Sequence, residues 1–386
     1  MRISKAFLRI GIDVSQITHG TGVSNYTKLL VEHLLKIDNK NQYVIFGSAL
    51  RAHSKLVEFS KTLLEKYKNV EFHTPFIPPA VLEPLWNIFA LYPIESFIGE
   101  VDVFHTSDWI QPPFKNKNTK IVTTIHDMTP SLFPASVHKK IIAAQKRSQK
   151  KIKKRTDLIF ADSQTTKDDI HKFLDIPQEK IKVVYLAPSE NFKPQDEGRI
   201  NEILEKYKIK KPYILSVATQ EPRKNIQKLL DVFTKMSKNN PQLRMVLTGK
   251  YGWGPGLRST ENVIWTDYVP DEDLAPLYAG SRVFVYPSLY EGFGLPILEA
   301  MACGTPVVTS NNSSMAEIAK EAAILVDPRS ESQLQRAIEF VMNLNLENYQ
   351  KMVRASINRA RLYTWTKTAR ETLRGYEEVV RNANRS

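Results

Sequence analysis

Residues 290–308 read YEGFGLPILEAMACGTPVV. The stretch sets Glu291 just ahead of a glycine-rich turn and Glu299 inside an apolar run. Pro296 suits the first turn of a helix, where its missing N–H would lack a partner anyway, and Gly304 suits the position just past the end. Upstream, RVFVYPS (282–288) is a β-branched and aromatic run that predicts a strand, and TPVVTS (305–310) predicts another. The order strand, glycine loop, helix, strand is one step of a parallel α/β sheet. Glu291 then lies on the loop at the carboxyl end of a strand. Glu299 lies on the helix among Ile297, Leu298, Ala300 and Met301, where a carboxylate either points to solvent or answers a polar ligand. The amides of Gly292, Phe293, Gly294 and Leu295 form a helix start that receives an anion or a hydroxyl. A carboxylate beside such donors suits a hydroxyl-rich ligand carrying phosphate, which is a sugar nucleotide.

The same alternation runs through the chain. FLRIGIDVS (7–15), QYVIFG (42–47), VDVFHTS (101–107), KIVTTIHD (120–127), DLIFADS (157–163) and IKVVYLAP (181–188) are strand candidates, and GVSNYTKLLVEHLLKI (22–37) has helical apolar spacing. The polar stretch SENFKPQDEGR (189–199) reads as a link. A second series follows in PYILSVAT (212–219), LRMVLTGK (243–250), NVIWTDYV (262–269), the opening stretch and AAILVDP (322–328). The expected organisation is an amino-terminal Rossmann-like domain over 1–188, a second over 189–363, and an amphipathic helix over 364–386 that returns to the first. Ligands of such sheets bind at the carboxyl ends of the strands, so a cleft between two facing halves is expected to hold the site.

Length and composition set the bounds. The chain has 386 residues, enough for two domains, with 42% hydrophobic and 25% charged residues as in ordinary globular proteins. No apolar run reaches the ~20 residues of a membrane-spanning helix. The amino terminus carries Arg9 and Asp13 where an export signal needs an apolar core. Cys303 is the only cysteine, which excludes an intrachain disulfide and fits a reducing, cytoplasmic setting. The net charge of +13 calls for an anionic partner. Part of it lies in KKIIAAQKRSQKKIKKR (139–155), nine basic residues and no acid: either a solvated helix face or a patch for anionic lipid on the inner face of a membrane. PFIPPAVLEPLWNIFALYPIESF (75–97) reads as core with exposed turns, or as a surface at a membrane interface. Nucleic acid would explain the charge alone, but no binding module is recognisable.

Six segments together carry a resemblance. YEGFGLPILEAMACGTPVV resembles the two-glutamate signature of retaining glycosyltransferase family 4 (glycosyl transferases group 1), enzymes of the GT-B fold with two facing Rossmann-like domains. THGTGVSNYTKLL (18–30), TIHDMTP (124–130), EPRKNIQKLL (221–230) and DYVPDEDLAPLYAGSRVFVYPSLYEGFG (267–294) are similar to further segments of that family, as is SSMAEIAKEAAILVDP (313–328). The resemblance implies that Glu291 binds hydroxyls of the donor sugar and Glu299 the two ribose hydroxyls, since carboxylates accept paired hydrogen bonds. Arg223 and Lys224 are implied to stabilise the departing diphosphate without a metal, and His126 to meet the sugar by a hydrogen bond or through its carbonyl. Asp127 either orients that ring or supports its turn. Gly20 and Gly22 are expected to let backbone approach donor phosphate or acceptor, with Thr21 and Tyr26 on the acceptor side. The loop lacks the third glycine of a dinucleotide fingerprint. Backbone at Tyr268 and Val269 is expected to meet the base.

EPRKN and HDMTP look most like the mannosyltransferase branch, so GDP-mannose is the favoured donor and a saccharide or lipid-linked glycan the acceptor. DED (271–273) reads as an acidic helix start, and the scattered histidines give no metal spacing; no cofactor or metal is expected. The rival readings are a glycoside hydrolase using Glu291 and Glu299, which needs carboxyls about 5–9.5 Å apart, and a nucleotide-sugar epimerase.

Overall fold

Short runs of Val, Ile, Leu and Phe alternate with amphipathic helices, and strands buried on both faces need helices above and below. In a computed structural model the chain meets that need twice. The structure describes residues 7–20, 22–106, 110–252, 254, 256–258 and 261–383. One unit comprises the chain up to Leu186 together with the segment from Trp365 onward; the other spans Ala187–Thr364.

In the first unit the strands are β1 (Arg9–Asp13), β2 (Gln42–Phe46), β3 (Val70–His73), β4 (Val103–Thr106), β5 (Lys120–Ile125), β6 (Leu158–Ala161) and β7 (Ile181–Val183). All pair in parallel, in the order β3-β2-β1-β4-β5-β6-β7. The second unit has β8 (Tyr213–Val217), β9 (Arg244–Thr248), β10 (Val263–Trp265), β11 (Val283–Tyr286), β12 (Val307–Ser310) and β13 (Ile324–Val326), parallel in the order β10-β9-β8-β11-β12-β13. In each sheet the order reverses once, at β1/β4 and at β8/β11. Loops leaving such a pair part to opposite faces and open a crevice at the strand ends.

The second unit's core joins Leu229, Leu230 and Phe233 of the helix Ile226–Asn239 to Met245, Val285 and Ile338. The first unit has two clusters, one around Trp86, Phe46 and Phe104, the other around Ile152, Ile159 and Ile170. The helix Trp365–Ala383 packs on the helix Gly22–Ile37 and on β5 and β6. Its buried face, Trp365, Thr368, Ala369, Thr372, Gly375 and Tyr376, repeats at helical spacing.

Several expectations are corrected. β3 is an additional edge strand, and the helices Glu331–Met342 and Leu346–Ala360 complete the second unit. The stretch 189–199 is not simply a link: Phe192 is buried against Tyr278 at 5.8 Å, and Asp196 caps the helix Glu197–Lys206. Asp273 does more than complement a helix start. It is buried and receives Arg199 at 3.2 Å, Lys206 at 2.6 Å and the Tyr207 hydroxyl at 3.0 Å.

Gly375 lies against the Phe160 ring, where an added Cβ would come within 2.5 Å of Cζ. Phe160 is itself fully enclosed, so it has little room to yield. Gly375→Val should therefore cost about 2 kcal/mol or more, and thermal unfolding that matches the unsubstituted protein would show that this helix does not seat as described.

Candidate active site

The loops at the second unit's reversal point carry the charged residues. The segment after β8 reaches Pro222–Lys224, a single 3-10 turn, and Asn225 follows in the left-handed region at φ 58°. The segment after β11 carries Ser288 to Leu295 into the helix Leu295–Ala302. The two are sewn together by backbone and amide groups. Leu289 N–H donates to Arg223 C=O at 2.8 Å, and the Asn225 amide donates to Pro287 C=O at 3.1 Å and to Pro328 C=O at 2.8 Å.

Glu291 lies at the centre. Its Oε2 is 3.0 Å from Arg223 Nη1, and its Oε1 is 2.7 Å from Lys224 Nζ. The Tyr286 hydroxyl accepts from Lys224 at 2.7 Å and donates to Glu291 Oε1 at 2.9 Å. Arg223 also donates to the Glu221 carboxylate and to Tyr290 C=O. Burial pushes the Glu291 carboxyl up, but Lys224 and Arg223 outweigh it and hold the group at about 2. Glu291 is thus a permanent anion that accepts hydrogen bonds and gives up no proton near neutrality. Two cations and two carboxylates balance in charge here, and Lys224 keeps one N–H beyond its two recorded bonds.

Glu299 stands apart from that cluster on the helix Leu295–Ala302 and accepts from the Tyr278 hydroxyl at 3.0 Å. Burial raises its carboxyl to about 8, helped by Asp271 and opposed by Tyr278. Between the glutamates, Gly294 takes φ 100°, a backbone state favouring glycine, and Phe293 anchors the loop edge-on to Tyr363 at 6.2 Å. Gly292 and Leu295 flank that anchor. Tyr268 is exposed, with Lys250 Nζ 4.7 Å above its ring, whereas the Val269 side chain is in the core.

The first unit has its own reversal point. Asp13 ends β1, and its Oδ1 accepts from Ser15 N–H at 2.9 Å and Ser15 Oγ at 2.6 Å; burial raises its carboxyl to about 6. Gly20 follows in the left-handed region at φ 67° and Gly22 opens the helix Gly22–Ile37, with open space where a side chain would stand at either. Thr21 lies outside the described residues. Tyr26 does not line an acceptor surface with its hydroxyl, as expected above. It is buried and bonded to Thr124 Oγ1 at 2.9 Å. Thr124 in turn meets His105 Nε2 at 2.8 Å, and His105 Nδ1 meets the Tyr376 hydroxyl at 2.6 Å.

His126 follows β5 with its Nδ1 2.7 Å from Asp162 Oδ2 and its ring edge-on to Tyr26 at 4.6 Å. Asp162, not Asp127, orients the ring; Asp127 accepts from Thr129 N–H at 2.8 Å and so supports the following turn. The pairing follows from register, because Ile125 faces Ala161 across the β5–β6 ladder and the next residues are therefore neighbours. Burial pushes the Asp162 carboxyl up although the imidazole pulls it down.

Among the described residues no three His, Cys, Asp or Glu side chains gather as a metal-ion set, and no helix is long and apolar enough to cross a membrane. Residues 20–187 match the model of Glycosyltransferase Family 4, and residues 199–359 that of Glycosyl transferases group 1. The chain belongs to the family 4 glycosyltransferases. It is 28% identical to O-antigen chain mannosyltransferase B of Escherichia coli over 361 residues, covering 90% of this chain and 88% of that one. It is 26% identical over 379 residues to the serotype-specific mannosyltransferase WbdA of the same organism, covering 92% of this chain but 45% of that longer protein. Among solved structures, sucrose-phosphate synthase from Thermosynechococcus elongatus superposes with a TM-score of 0.71 at 18% identity, covering 96% and 99% of the two chains. HepE from Anabaena in complex with UDP and glucose gives 0.69 at 16% identity, covering 96% and 100%. The fold of this glycosyltransferase is GT-B.

Tyr286, Glu221, Tyr278, Asp13 and Asp162 escaped the sequence reading. A usable signal existed for Asp13 and Asp162: each is an acid directly at the end of an apolar strand run.

The two glutamates contribute to stability with opposite sign. Glu291, depressed when folded, stabilises above the ordinary carboxyl range near 4.5, and that contribution is lost as pH falls towards 2. Glu299, raised when folded, retains a proton that the unfolded chain releases, so stability declines as pH climbs from about 4.5 to 8. Glu299→Gln, uncharged at any pH, should melt with the unsubstituted enzyme at pH about 5 and several degrees above it at pH about 9. Equal melting at both values would place Glu299 in solvent.

Proposed function

We propose that this glycosyltransferase moves mannose from GDP-mannose to a saccharide or lipid-linked glycan acceptor, with retention of anomeric configuration and without a metal, in building a cell-surface polysaccharide. The observation that carries this reading is the Arg223–Lys224–Glu291 contact at the β8/β11 reversal point. Two fixed cations beside a permanently ionised carboxylate suit a ligand with a diphosphate joined to a polyol. The mannosyltransferase names of the two relatives support the sugar; UDP in HepE belongs to that protein and leaves guanine to be tested.

In the proposed reaction the bond from the anomeric carbon to the diphosphate oxygen breaks, and the electron pair leaves with the phosphate. Arg223 and Lys224 stabilise that growing charge in a site poor in water, where such charges act strongly. The acceptor oxygen bonds the same face of the anomeric carbon, and its proton goes to the departing phosphate oxygen. Glu291 accepts hydrogen bonds from sugar hydroxyls, Glu299 from the ribose, and the loop from Gly292 to Leu295 offers amides to the phosphates. His126, oriented by Asp162, serves the reacting sugar. Gly20 and Gly22 leave room beside the first unit's reversal point, and Tyr268 and Val269 lie where the base is read. The setting proposed is the cytoplasm.

The charge state of Glu291 weighs against a hydrolase, since neither a general acid nor a free nucleophile is expected of a carboxylate held by two cations. Glu291→Gln keeps the shape and removes the charge. Turnover should fall about 100-fold or more, and undiminished turnover would remove Glu291 from the chemistry. GDP and GDP-mannose should raise the melting temperature more than UDP, ADP or dTDP counterparts. That shift should vanish in the Arg223→Ala, Lys224→Ala double variant; persistence there would contradict the phosphate role. An α-linked product from the α-linked donor, read by NMR of the new anomeric carbon, would support retention, and a β-linked product would overturn it.

A further inference from the structure

The first unit exposes an apolar turn that its own packing does not explain. Ile88 to Tyr92 are five consecutive exposed residues, of which Ile88, Phe89, Leu91 and Tyr92 are 49 to 63% accessible. Phe76 and Val81 add to the same stretch of chain. The turn is not loose. Ile88 and Phe89 N–H both donate to Pro84 C=O, Leu91 N–H donates to Leu85 C=O at 3.0 Å, and the indole of buried Trp86 donates to Tyr92 C=O at 3.0 Å. Ala90 and Tyr92 are held at φ 53° and 56°, a conformation disfavoured for a residue with a Cβ. The structure thus spends hydrogen bonds and backbone strain to hold four large apolar side chains in water, where each would cost less if turned inward.

The basic helix Lys139–Arg155 is fastened beside that turn. Arg147 donates through Nε and Nη2 to both oxygens of Glu83, each at 2.9 Å, and Lys151 donates to Trp86 C=O, two residues before Ile88. Ser148 and Ile152 face inward. Lys139, Lys146, Lys150 and Lys153 fall on the opposite, outward stripe at helical spacing, with Lys154 on its margin. Of these, Lys153 meets Asp175 at 2.9 Å, while Lys139, Lys146, Lys150 and Lys154 have no carboxylate within salt-bridge distance among the described residues. The nearest acids of the apolar segment are already engaged: Glu83 by Arg147, and Glu95 by the amides of Lys115 and Asn116.

We propose that the turn Ile88–Tyr92 and the outward lysines of the helix Lys139–Arg155 form one docking surface for an anionic lipid bilayer. The apolar side chains enter the boundary between head groups and acyl chains, Tyr92 keeps its hydroxyl among the head groups, and the lysines lie over their phosphates. Charge complementarity alone would suit nucleic acid equally, but bases stack on aromatic rings and offer little to Ile88 and Leu91, which the pinned turn exposes alongside Phe89 and Tyr92. The inference uses no residue of the donor site, so it stands or falls apart from the choice of donor.

Co-sedimentation with vesicles tests it. The full chain should bind phosphatidylglycerol-containing vesicles, bind pure phosphatidylcholine weakly, and lose affinity as salt rises. Each outward lysine is expected to be worth about 1 kcal/mol, roughly fivefold in partitioning, so Lys146→Gln with Lys150→Gln should weaken binding roughly 25-fold. Phe89→Ser with Tyr92→Ser should weaken it at least about tenfold. Both double variants should retain melting temperature and donor turnover with a water-soluble acceptor. Absence of binding to anionic vesicles at low salt would overturn the proposal, as would binding indifferent to either double variant. So would single-stranded RNA binding tighter than vesicle binding and unaffected by the Phe89 and Tyr92 changes.

Discussion

The carboxylate of Glu291, shared between the guanidinium of Arg223 and the ammonium of Lys224, is the contact on which the second unit's site depends. Two cations taken out of water within one small volume repel each other and lose hydration; breaking such a buried set by removing one partner costs about 3–5 kcal/mol. Glu291 makes the arrangement tenable in the absence of a ligand, and Glu221 completes the neutralisation. The carbonyl of Arg223 binds Leu289 and Ser288, so the same pairing closes the loops after β8 and β11 over the reversal point of the sheet. Under the proposed function, a diphosphate would meet cations already desolvated and oriented and would take over as counter-ion, freeing the carboxylate for hydroxyl groups.

Three carboxylates, Glu291 and Asp162 buried and Glu299 half-buried, show how neighbours decide protonation. Glu291, Glu299 and Asp162 all lose water. Only the first has two cations in contact, and only the first is pushed below the usual range. Glu299 has a phenol for company, and Asp162 a single imidazole. With its carboxyl raised to about 8, Glu299 can donate as well as accept, so under the proposed function nucleotide binding would be coupled to proton release if both ribose hydroxyls are to donate to it. For Asp162 the coupling is to orientation: its Oδ2 lies 2.7 Å from His126 Nδ1 and fixes the ring in place.

Periodicity exposed the strands and the long helices because those patterns are local. The helix Gly22–Ile37 and the basic helix Lys139–Arg155 were legible to the residue. The proline and glycine that bracket Leu295–Ala302 likewise placed both glutamates. What stayed hidden depends on register and on pairs far apart in the chain. Nothing near His126 in sequence announces Asp162, which arrives only when Ile125 and Ala161 face each other. Tyr286 reads as one more apolar residue of a strand until its hydroxyl is seen between Lys224 and Glu291. Phe192 sits in a polar stretch whose composition argues for a link, and a single aromatic contact with Tyr278 overrules it.

The distribution of charge between the units has a chemical logic. At its reversal point the second unit places Arg223 and Lys224, while the first places Asp13, Ser15 and, one strand beyond, the pair His126–Asp162. The same sheet plan has been filled twice with different chemistry, cations at one reversal point and a carboxylate with hydrogen-bonding groups at the other. The first unit's positive charge is instead gathered on the outer stripe of one helix, where it serves no strand-end crevice. A basic excess placed on the outside of a unit, away from its strand ends, is what electrostatic attraction to an extended anionic surface requires. Were that excess meant for the nucleotide, it would belong beside Glu291.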